Sequence, residues 1–139
     1  MFRFDKTERF AAFGAIDLDG RVTVRAYART NKSYFHMFLD VLAKVYRDYD
    51  SIFIVLDNAR YHSLHGAVLP SKPRIELVFL PKYSPDLNPV EDLWRVVKRE
   101  YAYRVFLSAV DVARWLCLFD GMRRPSLVNR YHKNYEYLA

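Results

Sequence analysis

Cysteine is nearly missing from this sequence, with Cys117 alone among 139 residues. A single thiol excludes an internal disulfide, and its place in the apolar run WLCLF reads as a small buried hydrophobe in a reducing compartment. Glycine (4) and proline (6) are sparse too, and no linker, internal repeat or low-complexity segment appears. Long hydrophobic runs are also lacking. No uninterrupted apolar stretch approaches the roughly 20 residues of a membrane span. The N-terminal MFRFDKTERF mixes charges without the apolar centre of a secretory signal. The expectation is a cytoplasmic protein without a membrane partner.

What the sequence does have is apolar and aromatic. Apolar residues make up 52%, with 10 Phe, 11 Tyr and 2 Trp, which supports a packed interior without disulfides or a structural metal. The length fits one domain over residues 1–139, with a single core. The 22 Lys+Arg exceed the 16 Asp+Glu, giving a net charge of +6. That excess favours a polyanionic partner through counterion release, and it also fits an ordinary solvated basic surface.

The pattern of the chain is α/β. FAAFGAID (10–17) and RVTVRAYA (21–28) flank the turn residues Asp19 and Gly20, and the second segment alternates as a half-buried strand does. Together they predict a β-hairpin. From Ser33 to about Tyr49 the spacing becomes helical, with Phe35, Phe38, Leu39, Leu42, Val45, Tyr46 and Tyr49 on one stripe and Thr30 or Asn31 as cap. SIFIVLD is apolar without alternation, the signature of a central strand covered on both faces. A crossover with room for at most a short helix leads to IELVFL, a second strand expected parallel to the first.

The segment PKYSPDLNPVEDLW then runs into a helix. Pro81, Pro85 and Pro89 each fix φ, Asn88 is placed as N-cap, and Glu91 falls at the third helical position. Val90, Leu93, Trp94, Val97 and Tyr101 form the buried stripe, with Glu91, Arg95 and Lys98 along its edge. Ser108 and Asp111 open a last helix, whose Val112, Trp115, Leu116 and Phe119 face inward. The tail RRPSLVNRYHKNYEYLA is basic and aromatic with weak periodicity.

Two carboxylates stand where chemistry is expected. Asp57 closes the first apolar strand and Glu91 opens the helix after the second, so both reach one end of a sheet if the strands lie side by side. Mundane readings exist for each: Asp57 as a turn or cap residue, Glu91 as a capping-box glutamate. The functional reading is a site for Mg²⁺ or Mn²⁺, hard cations that prefer carboxylate oxygens. A two-metal site needs at least one further acid to bridge the ions. His62 and His65 form a rival metal pair, but without a cysteine partner their zinc signal is weak.

LDNARYH followed by IELVFLPKYSPDLNPVEDLWRVVK resembles the C-terminal two thirds of the catalytic domain of DDE transposases, in the bacterial insertion-sequence branch of the mariner-type superfamily. Leu80, Pro81, Tyr83, Ser84, Pro85, Leu87, Asn88, Pro89, Glu91 and Trp94 carry the likeness, which extends back to FGAIDLDGRV. The resemblance implies a ribonuclease-H-like mixed sheet flanked by helices, and two Mg²⁺ ions cutting and rejoining DNA at transposon ends. Asp57 would be the second acid of the triad and Glu91 the third, with Asn58 and His62 in support on the DN-x-x-x-H signature.

In such domains the first acid ends a strand upstream of the segment resembling Phe10 to Asp17. Here Asp5 is the only aspartate upstream, and Asp17 and Asp19 belong to the hairpin turn. The expectation is therefore a partial catalytic domain lacking the usual first strand, with its neighbours' edges unpaired. It would be completed by self-association or by an upstream transposase fragment, and associate with the nucleoid if bacterial. Arg60, Lys82, Arg95 and Lys98 are candidate phosphate contacts, though a solvated surface charge is the ordinary reading of any one of them. The alternatives are a catalytically inactive DNA-binding or dimerisation remnant of a transposase, and an unrelated metal-dependent phosphatase on a similar sheet.

Overall fold

The expected hairpin anchors the computed structural model, which describes residues 2–4, 10–29, 31–56, 68–69, 72–80, 88–129 and 131, with backbone alone at 2–4 and 10. Its strands β2 (Phe10–Ile16) and β3 (Val22–Tyr27) pair antiparallel from Ala11↔Tyr27 to Ile16↔Val22. Asp17 builds the turn: its Oδ1 accepts the N–H groups of Asp19 and Arg21, both at 2.9 Å. Gly20 completes it at φ 86°, a conformation that disfavours any side chain.

A three-residue strand, β1 (Phe2–Phe4), pairs with β2 from Phe2↔Ala12 to Phe4↔Phe10. The backbone near the N-terminus is thus paired, while the remaining length of β2 on that side meets no described strand. The outer edge of β3 is covered by residues 120–124. Val22 N–H donates to the Met122 carbonyl at 2.9 Å, Gly121 N–H to Val22 at 2.8 Å, and Arg21 bridges Arg123.

Helix α1 (Lys32–Val45) starts at Asn31, whose side chain accepts the Tyr34 N–H. Phe35, Phe38, Leu39 and Leu42 are buried as the spacing requires. The helix stops at Val45, however, and Tyr49 beyond it is exposed. Tyr46 turns back to donate its hydroxyl to Asp17 Oδ2 at 2.8 Å, with Arg21 over its ring. Burial, and then the bond to Asp17, raise the Tyr46 pKa well above the ordinary tyrosine range.

A measurable pH dependence follows. Folded Tyr46 keeps its proton where the unfolded chain releases it near pH 10, so its contribution is complete below that pH and is lost as pH rises further. Tyr46→Phe should cost about 1.5 kcal/mol at neutral pH. That deficit should shrink above pH 10 in melts run against wild type.

The second sheet has the order β4-β6-β5, from β4 (Ser51–Leu56), β5 (Val68–Leu69) and β6 (Arg74–Phe79). β4 and β6 are parallel, as expected, and β5 lies antiparallel on β6. The expectation of a central β4 is corrected. Among the described residues β4 is an edge strand, and Phe53 is 43% exposed. Its apolar run fits an interior position that no described neighbour completes.

Two further helices follow, α2 (Val90–Tyr101) and α3 (Ala109–Cys117). Among the described residues the buried side chains form two clusters. Ala12, Val22 and Val24 meet Leu93, Trp94, Val97, Trp115 and Phe119 on one face of the hairpin. On the other face Phe13 joins Phe35 and Leu39 of α1 against Ile75, Leu77 and Phe79 of β6. Helix α1 therefore covers both sheets, and a sheet with helices on both faces has two apolar layers. Cys117 is exposed, contrary to the buried position expected for it: Trp115, Leu116 and Phe119 take the inner face and leave Cys117 and Leu118 outside.

Candidate metal and nucleic-acid site

The parallel pair sets the geometry. Its register runs from Ser51↔Arg74 to Leu56↔Phe79, and Leu80 N–H continues the ladder to the Leu56 carbonyl at 2.7 Å. Both strands therefore leave the sheet at the same end. Asp57 follows Leu56 directly in the chain, and the residues after Leu80 lead to α2. The carboxyl ends of parallel strands are where open α/β sheets place ligand chemistry. Asp57, Asn58, Arg60, His62, His65 and Lys82 themselves lie outside the described residues, as does Asp5.

Glu91 is described, in the first turn of α2. The helix begins one residue later than expected, with Pro89 in the cap position and Glu91 second. Asn88 still caps it in substance: buried, it accepts the Val90 N–H on Oδ1 at 3.2 Å, and its carbonyl accepts the Glu91 N–H. The position of α2 is fixed by Trp94, whose indole packs against Gly14 of β2; a Cβ there would stand 2.6 Å from the ring.

Three other described carboxylates are committed to structure. Asp17 holds the turn and Tyr46. Asp92 accepts the Tyr131 hydroxyl at 2.8 Å and pairs with Arg95. Asp120 accepts the Val24 N–H and pairs with Arg25, both at 2.9 Å. Among the described residues nothing engages the half-buried Glu91 carboxylate, so the capping-box reading is not realised there. Its location at a helix N-terminus, where the dipole is positive, suits an anion.

Of the expected phosphate contacts, Arg95 and Lys98 are exposed on the same edge of α2 as Glu91. Arg95 is bound to Asp92 at 2.6 Å, which offsets part of its charge. Arg99, exposed beside Lys98, was not among the expected contacts, although its i, i+4 spacing from Arg95 carried the signal. No three His, Cys, Asp or Glu side chains gather at one point among the described residues. No helix among them is long and apolar enough to cross a membrane.

A parallel strand pair, a hairpin with helices packed on its two faces and a basic edge on α2 make this a mixed α/β domain. The DDE superfamily endonuclease family matches residues 4–112, and the chain belongs to that family. Its mixed sheet flanked by helices is accordingly ribonuclease-H-like. The chain is also similar to an uncharacterized protein of Sinorhizobium fredii (y4pE/y4sA), 34% identical over 65 residues. That alignment covers 46% of this chain and 47% of the relative, so the chain spans about half of that protein. No solved structure matches it.

Proposed function

We propose that this chain is the catalytic segment of a mariner-type transposase of the bacterial insertion-sequence branch, acting on DNA at the nucleoid. The reaction is metal-dependent phosphodiester hydrolysis at the element's ends, followed by attack of the freed 3′-hydroxyl on target DNA. The carrying observation is a glutamate that no described group engages, on a helix locked to the sheet, within a family match that also spans Asp57.

Asp57 and Glu91 would hold Mg²⁺ or Mn²⁺. The donor set is all-oxygen, which suits hard cations. When bound, two such ions stabilise the attacking and leaving oxygens of an in-line displacement. The chain's own residues supply position. Asn88 and the Trp94–Gly14 contact fix where Glu91 stands, Asn58 and His62 support Asp57, and Arg60, Lys82, Arg95 and Lys98 hold phosphates. A third acid is required, and a strand from an upstream transposase fragment or a second copy would bring it along the edge of β4 that no described strand covers.

The test is nicking of supercoiled plasmid by the purified chain in Mn²⁺, alone and with an upstream fragment. Cleavage that vanishes in Asp57→Ala is expected in at least one condition. Salt-sensitive binding with no cleavage in either would instead favour the inactive remnant, and turnover of small phosphoesters with indifference to DNA would favour a phosphatase.

A further inference from the structure

The solvent edge of α2 does not end in polar residues. Past Arg95, Lys98 and Arg99 the chain leaves the helix and presents Tyr103, Val105 and Leu107, which are 88%, 92% and 92% exposed. Large apolar side chains so open and so close together mark a contact surface. The segment is anchored from within. Phe106 stacks on Tyr101 at 5.4 Å and meets Trp115 at 5.4 Å, and Arg104 lies over the Trp115 ring. The outward residues are therefore held out by a packed base.

We propose that Tyr103, Val105 and Leu107 form an apolar wedge that enters duplex DNA between base steps, while Arg95, Lys98 and Arg99 bind the adjacent phosphates. Charge selects this occupant. A second copy docking here would bring like basic rows together, whereas a phosphate backbone neutralises them. Apolar wedges flanked by basic side chains unstack base steps and bend the duplex in just this way. The inference rests on the DNA-cleavage reading and adds where the duplex is deformed. From Glu91 to Tyr101 at the end of α2 is about 15 Å at 1.5 Å per residue, and the wedge lies just beyond. With the duplex along α2, the wedge enters about five base pairs from the phosphate being cut.

The experiment uses 30-base-pair duplexes carrying 2-aminopurine, followed by anisotropy and fluorescence without metal. Wild type should bind and raise the fluorescence. A triple variant, Tyr103→Ser with Val105→Ser and Leu107→Ser, removes only exposed side chains and should keep the circular dichroism of wild type. It should lose the fluorescence rise and about 10-fold in affinity, with the salt dependence unchanged. Arg99→Ala should reduce the salt slope by about one.

Wild-type binding without a fluorescence rise, or a triple variant that binds and unstacks like wild type, overturns the wedge and leaves the cleavage reading standing. Absence of any duplex binding by wild type at low salt sinks the DNA reading itself. Light scattering that shows a dimer becoming a monomer in the triple variant, with DNA binding unchanged, assigns the patch to self-association and overturns the wedge.

Discussion

Glu91→Gln should abolish metal-dependent DNA cleavage while leaving the melting temperature within about 2 °C of wild type. The two halves have separate causes. The carboxylate engages no described group, so replacing one oxygen by an amide removes no bond to a described residue. The side chain keeps its size and half-buried place, and Trp94 on Gly14 continues to hold the helix. An amide is a poor ligand for a hard cation, so the chemistry should fall by more than the roughly 100-fold that loss of a supporting bond to a ligand costs. Cleavage that survives in Glu91→Gln would remove Glu91 from the site.

The adjacent acid is the control. Asp92 is only 13% exposed at its side chain, and it holds Tyr131 of the C-terminal segment against α2. Its removal should weaken the fold through the charged hydrogen bond to a buried tyrosine. Two consecutive acids on one helix thus separate the proposed ligand from a strut, and the difference lies in what each already touches among the described residues.

Local chemistry was readable in the sequence; closure was not. The hairpin, the Asn31 and Ser108 caps and the parallel β4–β6 pair follow from alternation, spacing and capping residues within a few positions of each other. The misreadings share a different origin. SIFIVL has the composition of a central strand, yet its position depends on a neighbour that no described residue supplies. Cys117 lies in an apolar run longer than a helix face can bury, so half of the run must look outward. In the weakly periodic tail, Val128 and Tyr131 are buried because residues 120–124 lie along β3 and carry the chain back to α2, a long-range pairing with no local signature. The site divides the same way. Glu91 is legible as a helix-start acid, but that no described group engages its carboxylate appears only in the structure.

That long-range pairing is tested by the largest stability effect expected in the molecule, Gly20→Ala. Gly20 has φ 86°, where an alanine costs about 1–2 kcal/mol by itself. A Cβ there would also stand 2.4 Å from the Pro125 nitrogen and 2.5 Å from the Arg124 carbonyl carbon. These are backbone atoms, which cannot swing aside as a side chain can. Arg124 N–H donates to the Gly20 carbonyl at 2.7 Å, so relief of the clash breaks the bond that starts the cover over β3. With it loosen the Arg21–Arg123 bridge and the pairing of Met122 and Gly121 with Val22. The total should reach about 4 kcal/mol, a large fraction of the stability of a domain this size. Gly121→Ala separates strain from clash: its φ of 78° is similar, but nothing lies within 4 Å of its Cβ. It should lose only about 1 kcal/mol. Urea melts of the two variants should therefore differ severalfold in their loss. Equal losses would mean that the segment after Gly121 does not close the edge of β3.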